Sequence, residues 1–423
     1  MGIKKFPYWH FHPLVLYFNA ERVVSLVITD QITSKDVLMV TGLFLIVFIM
    51  GADSFIISPL LPAIERDYNV NLSSAALAVT IYALCYAIGS PFFGPLGDRF
   101  EKKRILTIGI GIFLAGSLLC AIATTLGQFY VYRAIAGIGA ALTMPNIWAI
   151  IGDHFRGHLL NTIMGITMSA LSLSIAIGVP LGTELVQISN WHMAFWGSAG
   201  LTLIAYFVLL VVIPNMSSLP NQRISYLDSF RTLLTTHHAT WALSINLVWM
   251  FGFYTIYTFL GTYIEQTFHD NTAQTGLVFI AYGISNFIAS FFGGIVTTKL
   301  GAMRSVIING LLSVIFIFGM TFVANTIPFL IAFLILLALA QGLGVTALTT
   351  YIVNVVPKNR STVMSFNSSF LYLGLTLGSL IGGIVYPHWA FKGVGLCAVA
   401  GLLIAVMITK WLSSRKPHSQ KMT

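Results

Sequence analysis

The chain has 423 residues, 57% of them hydrophobic and only 8% charged, and so large an apolar share excludes a water-soluble globular protein. Lys and Arg outnumber Asp and Glu by 22 to 13, a surplus that suits either nucleic acid or one face of a membrane. Aromatic stacking platforms beside a solvated basic groove are missing, so a nucleic-acid partner is excluded.

Residues 1–37 hold the run Phe6-Pro7-Tyr8-Trp9-His10-Phe11-His12-Pro13 and read as a cytoplasmic or interfacial extension. With no small-residue cleavage site it is not expected to be a signal peptide. His10 and His12 lack the further ligands that a metal site needs, and no metal is expected. Beyond them, about twelve apolar runs are long enough to cross roughly 30 Å of hydrocarbon. These segments 1 to 12 lie near 38–61, 74–96, 105–123, 127–151, 160–186, 193–214, 241–264, 275–297, 305–324, 328–355, 362–386 and 392–412. They predict an all-α membrane protein of two six-helix bundles, 38–214 and 241–412, joined by a polar cytoplasmic linker at 215–240 and followed by a tail at 413–423.

On this topology the N-terminal segment, the even-to-odd loops and the tail hold nearly all the basic residues, while the opposite face has only Arg66 and Lys392. That asymmetry places both termini in the cytoplasm of a cell whose cytoplasmic membrane the chain spans. Cys85, Cys120 and Cys397 fall inside segments without a C-x-x-C pair and read as small core residues.

The stretch Gly94-Pro95-Leu96-Gly97-Asp98-Arg99-Phe100-Glu101-Lys102-Lys103-Arg104 returns in degraded form two hundred residues later, from Gly294 to Arg304. Tyr82/Tyr282, Ser90/Ser290, Phe92/Phe292, Met164/Met364, Gly178/Gly378 and Gly182/Gly382 keep the same offset. One offset across several segments indicates duplication, the usual plan of a secondary transporter.

Four motifs then identify a family by resemblance. Gly94 to Arg104 resembles the loop motif G-x-L-a-D-R-x-G-R-K of the major facilitator superfamily, departing at Glu101, where the family usually has glycine. Arg133-Ala134-Ile135-Ala136-Gly137-Ile138-Gly139 is similar to its R-x-x-x-G-x-G element, and Gly178-Val179-Pro180-Leu181-Gly182 to a weakened G-P-x-x-G antiporter motif. Asp53 followed by Ser58-Pro59-Leu60-Leu61-Pro62 resembles the start of the twelve-helix drug:proton antiporter branch. The resemblance implies a gate made by Gly94, Gly97, Asp98, Arg99 and Arg104, in which Asp98 faces the start of segment 11 near Ser361 and Thr362. The exposed N–H groups there would hold the carboxylate while the cytoplasmic side is closed. Simple capping of a neighbouring backbone end is the alternative role for Asp98.

Asp53, Arg133 and Glu184 are the ionisable groups well within the segments. Counting back at about 1.5 Å per residue puts Asp53 and Arg133 each roughly 9–12 Å below the outer surface. A lone carboxylate there should take up a proton or face a wet cavity. Asp53 is therefore either a proton carrier or half of a permanent structural pair with Arg133. Glu184, near the outer end of segment 5, is a second protonation site or an acid reaching for water. The every-fourth rows Ala170, Ser174, Gly178, Gly182 and Gly374, Gly378, Gly382 are small-residue seams, either sliding domain interfaces or static packing.

Tyr82, Tyr86, Tyr254 and Tyr257 are candidates for a substrate cavity, since aromatic rings can hold a flat or cationic molecule. Asn146, Asn286, Gln341 and Asn367 are candidates because polar groups are rare in such helices, although each could serve only to bridge helices. The expected function is a proton-coupled exporter of small organic molecules, acting as a monomer without a cofactor. The alternatives are proton-coupled transport of sugars, amino acids or related metabolites, and a non-transporting sensor or scaffold, for which no appended signalling domain is seen. With no histidine-rich cluster, phosphate-binding loop or nucleophile–base arrangement, an enzyme is not expected.

Overall fold

Apolar runs of this length meet no water in a bilayer, so each must close its backbone hydrogen bonds within itself. The structure, a computed structural model, describes residues 33–94, 96, 100–213, 237–355 and 360–414, and every regular element among them is helical. Helix α1 runs Ser34–Phe55 and resumes as Ile57–Asp67. It is followed by α2 (Leu72–Phe93), α3 (Lys102–Cys120) and α4 (Leu126–His154). Helix α5 has three parts, an α-helical Gly157–Leu173, a wider π turn at Ser174–Gly178 and an α-helical Val179–Val186. The next helices are α6 (His192–Val212), α7 (His237–Phe268), α8 (Thr272–Leu300), α9 (Ala302–Phe322) and α10 (Ile327–Val355). The last run, Arg360–Ser414, is two spans broken at Ala390 (φ 49°), here α11 (360–389) and α12 (391–414). The chain is thus a multi-pass membrane protein, and with the last run divided at Ala390 the described residues hold the expected twelve spans.

Several ends differ from the hydropathy reading. Helix α1 starts at Ser34 because Thr33 caps it, accepting from the Asp36 N–H while the Asp36 carboxylate accepts from the Thr33 N–H. It also runs on to Asp67, past the apolar run, because helix continues into the polar end around Glu65 and Arg66. Hydropathy reads the thickness of the greasy slab and is silent on helix that projects beyond it.

The duplication is visible in the backbone. The turn after α1 passes through Asn69 (φ 50°) and the turn after α7 through His269 (φ 60°). Each is followed by an asparagine, Asn71 or Asn271, whose side chain caps the next helix. Two left-handed residues outside glycine at matching places are uncommon enough to mark a copied turn.

In the first half α1 packs on α5 and α6, α2 on α4, and α3 on α4 and α6. In the second half α7 packs on the α11–α12 run, α8 and α9 on α10, and α9 also on that run. The halves meet along α2–α11, α5–α8 and α1–α7. Down α2–α11 the contacts run antiparallel: Ser73 donates to the Gly383 carbonyl, Thr80 meets Ser379, Ser369 donates to the Ala87 carbonyl and Ser90 to the Ser365 carbonyl. At α1–α7, Ser58 donates to the Tyr257 carbonyl at 2.6 Å, and Arg66 pairs with Glu265 at the helix ends.

The glycine rows on α5 and α11 do not face the opposite bundle. A Cβ on Gly178 would lie 2.6 Å from the Ala52 Cβ, and one on Gly182 1.9 Å from Ile56 Cδ1, both on α1. Gly374, Gly378 and Gly382 likewise press on α7, at Met250, Thr255 and Phe259. These rows are seams inside each bundle, and the expectation of a sliding interface at Gly178 and Gly182 is corrected accordingly. Ser172, Ala176 and Thr183 are among the α5 residues that meet α8.

Candidate functional site

Equal depth on α1 and α4 brings Asp53 and Arg133 together. Arg133 Nη1 donates to Asp53 Oδ2 at 2.6 Å, and both side chains are only 1% exposed. The guanidinium also lies over the Tyr82 ring, 4.2 Å from its centroid, with Phe195 of α6 at 5.9 Å. Arg133 Nε is buried without a hydrogen-bond partner. A single oxygen thus neutralises a guanidinium that has donors left over, an arrangement poised to accept another group.

From this pair the polar surface continues to the boundary between bundles. Ser54 Oγ lies 3.2 Å from the Tyr82 hydroxyl, and the Tyr86 ring stacks on Tyr372 of α11 with centroids 3.7 Å apart. Tyr254 and Tyr257 of α7 join through Phe55, at 6.2 and 5.3 Å. A void of about 10 Å³ remains among Ser54, Ser58, Tyr254, Tyr257 and Leu375, and the Tyr257 hydroxyl is buried without a partner. All four tyrosines singled out in the sequence therefore meet at the interface. Tyr372, Phe55 and Ser54 belong with them but were not singled out. Their signal was weak, since nothing in an apolar helix marks which face meets the partner bundle.

The amides are placed otherwise. Gln341 accepts from Trp249 Nε1 at 2.7 Å and donates to Ser313, inside the second bundle. Asn367 accepts from Asn246 of α7, and Asn146 donates back to the Leu142 carbonyl of its own helix. Asn286 accepts from Ser172 across the α5–α8 seam. Gln341 and Asn367 thus tie helices within the second bundle, Asn146 bonds only its own helix and leaves its Oδ1 buried without a partner, and none of the three lines the void.

Glu184 is exposed, on the last turn of α5, and Pro180 is buried just after the π turn. At the other end Gly94 closes on α11, where a Cβ would fall 2.4 Å from Ser365 Oγ. Arg104 is exposed in the first turn of α3. Gly97, Asp98, Arg99 and the Ser361 and Thr362 side chains lie outside the described residues. Among the described residues no group of His, Cys, Asp and Glu is arranged to hold a metal.

The Major Facilitator Superfamily family model matches residues 43–271 and 242–422, one match for each half. The chain belongs to this superfamily. It is 31% identical over 382 residues to the uncharacterized MFS-type transporter YwfA of Bacillus subtilis, covering 88% of this chain and 92% of that one. It is 26% identical to the multidrug efflux protein YfmO of the same organism, covering 85% and 90%. Among solved structures, the human organic anion transporter MFSD10 (TETRAN) superposes with a TM-score of 0.70 at 16% identity, covering 89% of this superfamily member and all of that chain, a likeness of fold.

Proposed function

We propose that this superfamily member is a proton-coupled exporter of small organic molecules that works by alternating access, as a monomer in the cytoplasmic membrane with both termini in the cytoplasm. The observation that carries the reading is the Asp53–Arg133 pair, fully buried yet one tyrosine away from the boundary between bundles. Similarity to a multidrug efflux protein over most of both chains supports the substrate class.

The pair supplies a physical switch. Ionised, Asp53 neutralises Arg133. A proton on Asp53 leaves a lone guanidinium buried beside Tyr82 and Phe195, where removing one partner of a buried pair costs about 3–5 kcal/mol. The ring of Tyr82 offsets roughly 2 kcal/mol of that at best. The shortfall favours a rearrangement in which Arg133 finds water or substrate, and the rearrangement is the change of access. One charge crossing 100 mV contributes about 2.3 kcal/mol, the same order as the shortfall. With the basic face in the cytoplasm, Arg66–Glu265 closes the outer side. Asp98 would close the inner side against α11, as the close approach of Gly94 to Ser365 supports.

Proteoliposomes with an imposed pH gradient and a fluorescent lipophilic cation test the reading. Asp53→Asn should bind the cation and exchange it, yet show no uptake driven by the gradient. Uptake by Asp53→Asn at the parental rate overturns it.

A further inference from the structure

One hydrophobic core lies wholly within α1 to α6 and includes Tyr82 and Tyr86. Among the described residues, one hydrophobic side chain of the second bundle packs against it, Tyr372 of α11, which also packs against the core that the second bundle dominates. We propose that Tyr372 is a positioning residue for coupling, the side chain through which the second bundle registers the charge state of Asp53. The proposal rests on Asp53 being the coupling acid.

Two contacts hold Tyr372 in place. Its ring lies on Tyr86 of α2, with centroids 3.7 Å apart and planes 19° from parallel, and its hydroxyl reaches Ser54 of α1, the residue next to Asp53. Ser54 also lies 3.2 Å from the Tyr82 hydroxyl, so one serine is shared between a tyrosine of each bundle. A serine hydroxyl has a single hydrogen, and the Met50 carbonyl of its own helix, 2.9 Å away, can take it. Either tyrosine can therefore leave Ser54 without stranding it. Tyr372 is half-buried, whereas Tyr82 and Tyr86 are each 1% exposed, so Tyr372 is the one with room to turn.

The charge on Asp53 gives the hydroxyl a reason to move. The charged and titratable groups that act on Asp53 are Arg133 of α4, Tyr82 of α2, Cys120 of α3 and Tyr372 of α11. Toward α5 and α6 it is bounded by Gly178, Gly182, Phe195 and Ser198, none of which titrates, and Tyr254 of α7 acts on Tyr372. Ionised, Asp53 engages Arg133 Nη1, while Arg133 Nε is buried without a partner. Protonated, Asp53 no longer offsets the guanidinium, whose donors then need neutral acceptors.

Tyrosine oxygens are acceptors that lie on this side of the pair. Tyr82, whose ring already faces the guanidinium, belongs to the first bundle, and Tyr372 belongs to the second. Movement of Tyr82 alters contacts inside one bundle, but movement of Tyr372 alters the boundary. A Tyr372 hydroxyl drawn from Ser54 toward Arg133 turns its ring out of register with Tyr86, and that stack joins α2 to α11. Arrival of the proton is thus converted into shear between the bundles.

The experiment removes the hydroxyl and keeps the ring. Tyr372→Phe should retain the stack on Tyr86 and unfold in detergent within about 3 °C of the parent. Its protonated state lacks an acceptor for Arg133 and is reached at lower pH. In proteoliposomes with the fluorescent lipophilic cation and a constant pH difference, the midpoint of gradient-driven flux should therefore move down by about one unit. Ser369→Ala, which takes another buried hydroxyl of the same seam from the Ala87 carbonyl, should leave that midpoint in place. A parental midpoint in Tyr372→Phe, with Asp53→Asn inactive, overturns the assignment of Tyr372 and leaves the coupling reading standing. Equal shifts in Tyr372→Phe and Ser369→Ala overturn it as well, because any seam hydroxyl would then serve. A much lower unfolding temperature in Tyr372→Phe would make the hydroxyl a structural tie and count against it equally. Gradient-driven uptake that survives Asp53→Asn overturns the coupling reading and this inference together.

Discussion

Where the first bundle buries Asp53 against Arg133, the second carries Phe253 and Phe333, two hundred residues on. The same twofold plan therefore holds an ion pair in one half and aromatic rings in the other. Phe253 stacks near Tyr282 at 5.7 Å, and the second half pairs buried polar side chains with neutral partners, Trp249 with Gln341 and Asn246 with Asn367. A neutral network has one protonation state and serves as scaffold. A buried ion pair has two, and among the described residues the fully buried pair stands in the first half.

The strongest way to break this contrast is to make the first half neutral as well. Arg133→Met alone should cost about 3–5 kcal/mol of stability, because Asp53 is left buried without its cation. Asp53→Leu with Arg133→Met should regain most of that in thermal unfolding in detergent, while proton-driven flux stays absent. Flux from the double variant would show that the charge difference between the halves is not the coupling device. Arg133→Lys should keep the charge but lose the planar fork, and give partial flux with a shifted pH profile.

In the second half, Gln341→Leu leaves the Trp249 N–H without an acceptor and should lower stability by about 1–3 kcal/mol. Its pH profile of transport should match the parent's, and a moved profile would give the second half a part in proton handling.

A matched pair of glycines sharpens the comparison further. A Cβ on Gly382 meets the Phe259 ring at 2.4 Å, and that ring is held against Tyr386, whereas a Cβ on Gly182 meets the free end of Ile56. Gly382→Ala should therefore cost about 1–3 kcal/mol and Gly182→Ala less than about 1. Reversed unfolding temperatures would mean that α5, with its π turn, is the more rigid partner.

The smallest effect is expected at Glu265→Gln. Arg66 is 64% exposed, so losing its partner should change stability by no more than about 1 kcal/mol. That is still enough to raise outer-side labelling of a cysteine near Ser58 several-fold. Labelling that does not change would place the closure of that end at Ser58 instead, whose Oγ accepts from the Gly261 N–H of α7 at 3.2 Å as well as donating to the Tyr257 carbonyl.

Hydropathy made twelve spans legible, and the fixed offset made the two halves legible, because both signals run along the chain. The Asp53–Arg133 contact was foreshadowed by depth alone, which needs only a count from the helix ends. What stayed hidden depends on direction around a helix. Lipid and protein interior are equally apolar, so Gly178 reads the same whether it faces α1 or α8, and Tyr372 reads the same whether it faces bilayer or Tyr86.

Midway along the α2–α11 seam, two of the hydroxyls that hold it already have a second place to go. Thr80 also reaches the Ala76 carbonyl and Ser379 the Thr376 carbonyl, each on its own helix. When the two helices part, such a hydroxyl swings back to its own backbone and no donor is stranded. Energetically the seam behaves as a lubricated bearing and not as a latch, with little static friction at any one register. In the proposed alternating-access cycle the buried ion pair, and not this part of the joint, would then set the cost of the stroke.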